Sequence, residues 1–592
     1  SDDVVEAVSE GCDGNPLFLE ERLATFVETG GLTQDDAGWH LDEDISPEVP
    51  EAIERIVRSR VDRLAPGPRE AIVSGSVLGP EFGESALAVV TDLDGGLAGA
   101  LSELCSAGLL SLQQTGPEPV YRFRHSLIQE ITYGGLVRDE RHRLHARAAW
   151  GLEAASAGRL EEVAHLLGHH FAMAGEAERA AHYWEVAGDR AASNFANDEA
   201  VEAYRAALGL TSTATAAGRA AAAGLRLQLG QVLDLAGRRG EARQVLEEAL
   251  APGHELDDVT AALLQALLGK VEVGAHRYDA ALAAFDAADE LIGEHPEDAD
   301  QATADLWLEV QLGGRVTVHY FRNEMGEVAA VMEKARPVLE ARGTPARRRA
   351  FHHGVALQRA RERRYQIDDE TLAAQRVAAA ITGEGVGEPE IVSGEFGLGL
   401  FLLFHGDLDE AEERLSAALA MAERVGDAGA AVRCRCYYSV TALRRHDVEG
   451  VRARAPVALE AAEAASYPEY AASAKAMLAW LAWRDGRPDD VLGLGREALR
   501  LWAGGAVAYP FYWLCLWPLI AVHLGRGEVA DAVAAARQLL LPPQQKLPDE
   551  LEAQVEAAIA CWEGGSLETG ASERAASDLR KALELGEALR YA

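Results

Sequence analysis

Tyr121-Arg-Phe-Arg-His-Ser-Leu-Ile-Gln-Glu-Ile-Thr-Tyr133 is the most informative stretch of the chain, because it joins two kinds of structure. Its first residues form an aromatic and apolar run typical of a β-strand, and the apolar spacing becomes helical from His125 onward. Leu127, Ile128, Ile131 and Leu136 then fall on one helical face. The stretch therefore predicts a strand that changes into a helix at His125.

Helices are predicted before this stretch, and a hairpin leads into it. Ser46-Pro47 supplies an N-cap followed by Pro at the first helical position, and Pro66-Gly67-Pro68 ends that helix. Three more helices follow, and residues 109–112 and 120–123 flank a turn-rich segment, as in a β-hairpin. Helices followed by a terminal hairpin predict a winged-helix domain over residues 46–140.

Helical pairs joined by a polar turn recur beyond Arg141, with no convincing strand. The turns lie at residues 174–180, 236–242, 276–280, 405–411, 445–448, 484–487 and 524–529. The residues that follow a turn, as in Asp409 to Leu419, resemble those of tetratricopeptide repeats. One pair cannot bury its apolar stripe alone, so pairs stack into a superhelix. The predicted fold is mostly α: a winged-helix domain with a small β-hairpin, then an α-solenoid of tetratricopeptide-like repeats over residues 141–592.

Two motifs resemble segments of STAND signalling ATPases, the multidomain regulators related to LuxR-type activators and to ATPase-fused cyclases. The strand-to-helix junction at His125 is similar to the close of their winged-helix domain. Gly14-Asn15-Pro16-Leu17-Phe18-Leu19-Glu20-Glu21 is similar to the segment that ends their nucleotide-binding core. The resemblance implies that residues 1–45 are the C-terminal end of an ATPase module. It also implies that ATP or ADP binds only when the upstream core is attached.

The resemblance assigns nucleotide contacts to Gly14, Asn15, Pro16 and His125. The Pro16 ring would pack on adenine, and His125 would contact the β-phosphate of ADP in a closed state. Structural interpretations stay open for both. Asn15 and Pro16 suit a helix start, and a histidine at a strand end is commonly structural. This chain also has Phe-Arg-His where plant and animal members have Met-His-Asp.

No catalytic residue is expected in this chain. The phosphate-binding loop GxxxxGK followed by Ser or Thr is absent from the sequence, and the first lysine is Lys270. The resemblance implies a regulatory, sensor and protein-interaction region of an ATP-dependent signalling protein. The alternatives are the non-catalytic portion of a nucleotide cyclase or protein kinase fused to an ATPase, or of a LuxR-type transcription activator.

Composition bears on partners. The formal net charge of -39 argues against broad nucleic-acid or anionic-membrane binding, since phosphate attraction needs surplus Lys and Arg. No apolar run approaches the roughly 18 residues of a membrane span, and six cysteines in 592 residues suit a reducing cytoplasm. We expect a protein or small-molecule effector on the repeats. The resemblance further implies a homo-oligomer in the active full-length state.

Four local groups raise the question of further sites. His165, His169 and His170 have helical spacing, but no metal site is predicted because no HExxH pattern or nearby cysteine accompanies them. Cys434 and Cys436 are expected to be buried free thiols. A basic stretch is expected to be a solvated face with ion pairs, the alternative being a grip on an acidic partner; it contains Arg342, Arg347, Arg348, Arg349, Arg359, Arg361, Arg363 and Arg364. An aromatic group is expected to be core, the alternative being a ligand pocket; it contains Trp480, Trp483, Trp502, Tyr509, Phe511, Tyr512, Trp513 and Trp517.

Overall fold

A computed structural model describes residues 32–35, 38–41, 49–93, 95–115, 118–252, 255–293, 296–383, 385–564 and 570–592. The predicted nucleotide contacts Gly14, Asn15 and Pro16 lie outside these residues, as does the predicted N-cap Ser46.

Small strands and short helices alternate in the N-terminal part. In chain order they are β1 Leu32–Asp35, β2 Gly38–Leu41, α1 Val49–Asp62, α2 Pro66–Leu78, β3 Glu81–Gly83, α3 Glu84–Val90, α4 Leu97–Ser106, β4 Leu110–Gln114, β5 Val120–Phe123 and α5 Ser126–Gly134. The predicted hairpin is confirmed, because β4 and β5 pair antiparallel. A third strand, β3, pairs with the other side of β5 to give the order β3-β5-β4. The strand β3 is not predicted from the sequence, because three residues are too few to show an alternating pattern.

The three-stranded sheet and the helices around it share one core. Phe82 of β3 and Phe123 of β5 make an edge-to-face contact with ring centroids 5.9 Å apart. Leu101 of α4 and Ile128 of α5 are buried in the same cluster. The helix that begins at Ser126 therefore packs its predicted apolar face on the sheet.

Every described element beyond α5 is helical. The elements are α6 Arg138–Ala155, α7 Leu160–Ala174, α8 Ala177–Ser193, α9 Asn197–Leu210, α10 Ala216–Leu235, α11 Arg239–Ala249, α12 Asp258–Gly274, α13 Tyr278–Ile292, α14 Gln301–Leu308, a π-helical segment Glu309–Arg315, α15 Val316–Phe321, α16 Met325–Arg342, α17 Pro345–Glu362, α18 Asp369–Ala380, α19 Glu388–His405, α20 Leu408–Val425, α21 Ala428–Arg444, α22 Val448–Ala464, α23 Pro468–Arg484, α24 Pro488–Ala503, α25 Trp513–Arg526, α26 Val529–Leu539, α27 Asp549–Gly564 and α28 Ala571–Ala588. Each of the seven predicted turns separates two helices. The mostly α fold with an α-solenoid of helical repeats is confirmed.

Small residues allow the helices of a pair to approach closely. On α20, Ala411, Ala418 and Ala422 are fully buried, as the repeat pattern predicts. On α12, Gly269 leaves space for the ring of Phe285 on α13, and an added Cβ would lie 2.3 Å from that ring. The pair spacing is therefore set by alanine and glycine on one helix and larger side chains on the next.

The chain forms two compact units. The first runs to Arg190 and includes Ala206–Thr211; the second comprises Ala191–Arg205 and Ser212–Ala592. Within the second unit, distant repeats contact one another: Arg239 donates a hydrogen bond to the hydroxyl of Tyr467. Among the described residues, no helix combines the length and apolar character needed to cross a membrane.

Candidate functional site

His125 occupies the position that the sequence predicts, at the N-cap of α5 directly after β5. Its backbone is extended, with φ -141° and ψ 138°, and its imidazole makes no capping hydrogen bond to α5. Its carbonyl accepts a hydrogen bond from the backbone N–H of Ile128 at 3.1 Å. The side chain is half-buried. The phosphate contact assigned to His125 by resemblance stays a prediction.

A cavity of about 330 Å³ lies in the second unit, against the first helices of four successive pairs. Its polar lining comes from α17, α18, α19 and α21, with Tyr470 from α23. Its apolar lining includes Leu312, Val316, Tyr320, Phe321, Leu357, Phe396, Leu400 and Tyr437. The π-helical segment reaches the cavity through Leu312, and such irregular turns are frequent at functional sites. The cavity thus combines apolar and aromatic surface with a few polar and charged groups.

Arg349 of α17 is the most deeply buried cation of this lining, with 6% of its surface exposed. Its Nη1 donates to the carbonyl oxygens of Ala379 at 3.0 Å and Ile381 at 2.9 Å, at the C-terminal end of α18. Its Nη2 is buried and has no hydrogen-bond partner among the described residues. Burial lowers the pKa of Arg349, against the attraction of Glu395 and Glu390. The guanidinium is therefore held in place, while its Nη2 packs beside Gly394 of α19 without a hydrogen bond.

Gln375 of α18 and His353 of α17 lie beside this guanidinium. Gln375 is fully buried, and its Oε1 lies 2.9 Å from His353 Nδ1. The amide nitrogen of Gln375 is buried without a partner in the described part of the chain. Burial lowers the pKa of His353, and the charges of Arg349 and Arg433 lower it further, against the hydrogen bond with Gln375. His353 is therefore neutral at pH 7, and the Gln375 amide offers a second unused donor.

Two glycines of α19 create the space for these polar groups. A Cβ on Gly394 would lie 1.7 Å from Arg349 Nη2, and a Cβ on Gly397 would lie 2.6 Å from Gln375 Nε2. Glycine in a helix interior costs about 1 kcal/mol of stability relative to alanine. Glycine is therefore expected at such a position only where another group must approach the helix backbone closely. The side chains of α17 and α18 thus lie directly against the backbone of α19.

Arg433 of α21 is the third cation of the lining. Its guanidinium lies 5.5 Å from the ring centroid of Phe396, and its Nε is buried without a partner within the described ranges. By contrast, Arg347 is paired with Asp305 at 2.8 Å and Glu309 at 2.7 Å. All three arginines of the lining keep a buried donor without a partner among the residues that the structure describes, but only Arg347 is neutralised by carboxylates.

These positions correct the expectation of a uniformly solvated basic face. Arg359 pairs with Glu370 at 2.9 Å, and Arg363 with Asp368, as expected. Arg349 and Arg361, however, are buried, each with 6% of its surface exposed. The sequence pattern failed here because inner and outer faces of a solenoid helix are set by stacking on the next repeat, which charge spacing does not reveal.

The aromatic group and the cysteine pair belong to the core, as predicted. Trp480, Phe511 and Trp517 are almost fully buried in one hydrophobic cluster. Cys434 and Cys436 are buried free thiols, and burial raises the pKa of each to about 12. Thiols with such pKa values are poor nucleophiles and metal ligands at neutral pH.

A histidine cluster in the first unit differs from the one that the sequence suggested. His145 of α6 joins His169 and His170 of α7, with ligand atoms all within 4.8 Å of one another, whereas His165 is exposed and lies apart. His145 Nδ1 lies 2.9 Å from His170 Nδ1, and His145 Nε2 lies 3.0 Å from the Tyr133 hydroxyl. Three neutral imidazoles at this spacing could hold a divalent transition metal. Hydrogen bonds already occupy both ring nitrogens of His145 and Nδ1 of His170.

Comparisons with known proteins give limited matches. No protein-family model matches the sequence. An uncharacterized protein of Rhizobium meliloti (strain 1021) is 31% identical over 221 residues, which is 35% of this chain and 20% of that protein. The chain therefore matches about one fifth of the length of this curated relative.

Solved structures share low identity with the chain. A STAND protein with a tetratricopeptide repeat sensor from Pyrococcus horikoshii has 13% identity and a TM-score of 0.40, over 84% of this chain and 72% of that one. A Rap protein complexed with competence and sporulation factor has 12% identity and a TM-score of 0.42, over 65% and 99%. The Cut9–Hcn1 hetero-tetramer of APC/C has 14% identity and a TM-score of 0.34, over 77% and 95%. The fold assignment rests on the helices of this chain itself.

Proposed function

We propose that this chain is the sensor and protein-interaction region of an ATP-dependent STAND-type signalling protein, without catalysis of its own. The observation that carries the proposal is the cavity inside the repeat unit. Buried polar groups in folded proteins almost always have partners, yet Arg349 and Gln375, which line this space, keep buried donors without a partner among the described residues. A preformed, largely apolar cavity with a few convergent polar groups is the usual form of a ligand site. The repeats therefore receive an effector.

The nucleotide part of the proposal comes from the resemblance. The β4-β5 hairpin and the helix that begins after His125 agree with a winged-helix domain. In this proposal ADP holds that domain against a nucleotide core in an inactive state, and the effector on the repeats favours the ATP-bound, oligomeric state. The effector can shift this equilibrium only by the difference between its affinities for the two states.

The test begins with the native gene product. We expect its mass to exceed that of the 592 residues, its additional peptides to contain GxxxxGK followed by Ser or Thr, and the purified protein to carry ADP. His125→Ala should then accelerate ADP release at least tenfold, because one charge-assisted hydrogen bond to phosphate is lost. His165→Ala, at an exposed position of α7, is the matched control.

Two results would contradict the proposal. A native product that binds neither ADP nor ATP would leave an effector-binding repeat protein without a nucleotide switch. ADP release that is equally fast in the wild type and in His125→Ala would make His125 a structural residue.

A further inference from the structure

We infer that the cavity lined by α17, α18, α19 and α21 binds a small organic monocarboxylate with an apolar body. This inference rests on the function proposed above, because it names the chemical class of the effector. It is drawn from the unused hydrogen-bonding groups, the charge balance and the shape of the cavity.

The unused groups of the lining are all donors. They are Arg347 Nε, Arg349 Nη2, Gln375 Nε2 and Arg433 Nε, each without a partner in the described portion of the chain. A ligand that complements them must supply acceptors, and three of the four donors belong to cations. Buried guanidinium groups are stabilised when a carboxylate or phosphate takes two of their N–H groups at once. The polar end of the ligand is therefore an anion.

The protein's own carboxylates do not fill this role. Glu390 lines the cavity, but its Oε2 accepts the backbone N–H of Gly387 at 2.9 Å. Glu395 instead pairs with Arg414 at 3.0 Å. Other arginines of the described residues also keep a buried N–H without a partner; Arg349 differs from most of them because it lines a cavity and no described carboxylate pairs with it.

A second cavity shows the contrast. It lies in the first unit, has a volume of about 780 Å³, and its lining includes Arg58, Arg69, Arg143 and Arg147. Three of these four are paired: Arg58 to Glu54 at 2.5 Å, Arg69 to Asp62 at 2.8 Å and Arg147 to Asp92 at 2.7 Å. In the cavity of the second unit, by contrast, only Arg347 of the three lining arginines has an ion pair with a described residue.

The charge balance selects a monoanion. Arg347 is neutralised by its two carboxylate partners, which leaves Arg349, Arg433 and Glu390 as the charged lining groups. With His353 neutral, their sum is one positive charge. A dianionic phosphate would leave net negative charge in a closed space, which is costly at low dielectric.

The remaining lining defines the body of the ligand. Val316, Tyr320, Phe396 and Leu400 offer aliphatic and aromatic surface on the wall of the cavity. A volume of about 330 Å³ is at the lower end for sites that enclose small organic ligands, about 300–1,000 Å³. An aryl or branched alkyl chain on the carboxylate fills this part, while the carboxylate meets Arg349 and Gln375.

The test uses matched pairs of ligands on the full chain. Phenylacetate, 4-phenylbutyrate, 4-methylpentanoate and octanoate are each compared with their own primary amide, by thermal shift and by titration calorimetry. We expect at least one carboxylate to bind and its amide to bind at least tenfold more weakly, because the amide lacks the charge. Phenyl phosphate tests whether the cavity prefers a phosphate to a carboxylate. Inorganic phosphate tests whether an anion binds without an apolar group attached.

Variants connect binding to the cavity. Arg349→Gln should weaken the best carboxylate at least tenfold, and Arg348→Gln, exposed on the same helix, should leave it unchanged. Since Arg349→Gln also removes the bonds to Ala379 and Ile381, a second variant keeps the charge. Gly394→Ala places a methyl group where Nη2 lies and should weaken the same ligand at least fivefold, with circular dichroism confirming the fold.

Each of the other outcomes refutes one named part of the inference. If carboxylates and amides bind equally well and Gly394→Ala abolishes the binding of both, the cavity is an effector site but does not select an anion. Phenyl phosphate binding more tightly than every carboxylate would refute the carboxylate. If no carboxylate of the set binds, or binding is unaffected by both variants, the inference is wrong. None of these results changes ADP retention by the native product, so failure of the nucleotide switch is detected separately.

Discussion

Lowering the pH from 7.5 to 5 should loosen the packing of α6 on α7, because two buried histidines there resist protonation. The Nδ1 atoms of His145 and His170 are 2.9 Å apart, so the hydrogen bond between them holds a single proton. Burial, with the neighbouring histidines, lowers the pKa of His145 to about 3 and that of His170 to about 4. Arg141 and His142 on α6 lower the pKa of His145 further. His169 of α7 lies beside both rings, and the hydroxyl of Tyr133 on α5 contacts His145 Nε2.

The direction and size of this loss of stability follow from the difference in bound protons between the opened and closed states. In the opened state both histidines titrate near pH 6.5, and in the closed state they stay neutral until pH falls to about 4 and 3. Between these values the opened state binds more protons, so stability is complete above pH 6.5 and is lost as the pH falls. At pH 5 each histidine contributes a loss of about 2 kcal/mol, hence about 4 kcal/mol together, which is roughly a thousandfold in the opening constant.

Hydrogen exchange with mass spectrometry on the intact chain measures this locally. After correction for the intrinsic exchange rate, peptides of α6 and α7 should lose protection between pH 7.5 and pH 5 far more than peptides of α26. In His170→Gln about half of that pH dependence should disappear, whereas His165→Gln on the exposed side of α7 should retain it. Equal pH dependence in the wild type and His170→Gln would refute the assignment of the buried pair as its cause.

Four further substitutions in the repeats have expected effects on stability, each checked by urea unfolding monitored by circular dichroism. Gly269→Ala should destabilise by about 1–3 kcal/mol, because the new Cβ would lie 2.3 Å from the Phe285 ring, despite the better helix propensity of alanine. Gly224→Ala has no atom within 4 Å of the new Cβ and should stabilise by about 0.5–1 kcal/mol; destabilisation at both sites would refute the packing argument. Phe285→Ala should cost about 3–5 kcal/mol, and a loss below 1 kcal/mol would mean that the two helices collapse onto the vacated space. Asp427→Ala should cost about 1 kcal/mol, since the Asp427 side chain caps α21 by accepting the N–H of Ala430 at 2.8 Å; no loss would show that water replaces the cap.

The elements that sequence analysis located correctly are those with local causes. The turn after α19 is marked by Gly406, which adopts a left-handed φ of 113°, and the turn after α21 by Asp447, which caps α22. The position of His125 at the end of the strand is also set by nearby residues, because the spacing of apolar residues changes from strand-like to helical there. A glycine, a capping aspartate or a change of period acts within a few residues, so the printed sequence contains the whole signal.

The cavity could not be located in this way. Arg349 and Gln375 come from the two helices of one pair and Arg433 from the second pair after it, and their meeting depends on the rotation of each helix about its axis. That rotation is fixed by packing against the preceding pair, which differs in every repeat. One signal was present: Gly394 and Gly397 interrupt an otherwise favourable helix, and paired helical glycines indicate close approach of another group. The spacing does not reveal what approaches.

The position of Arg349 also explains how occupation of the cavity would affect other repeats. The same helix, α17, carries Arg361, which donates to the carbonyl of Ala508 at 2.8 Å, and is followed by Arg364, which donates to the carbonyl of Gln544 at 2.9 Å. One helix is thus attached both to the cavity and to two segments well over a hundred residues further on. A carboxylate that neutralises Arg349 removes the cost of a buried, incompletely bonded charge, and therefore stabilises the arrangement of α17 in which that charge is enclosed. Because Arg361 and Arg364 are positioned by the same helix, the gain extends to the contacts with Ala508 and Gln544. A small ligand can in this way favour one packing of distant repeats over another, by no more than its difference in affinity for the two.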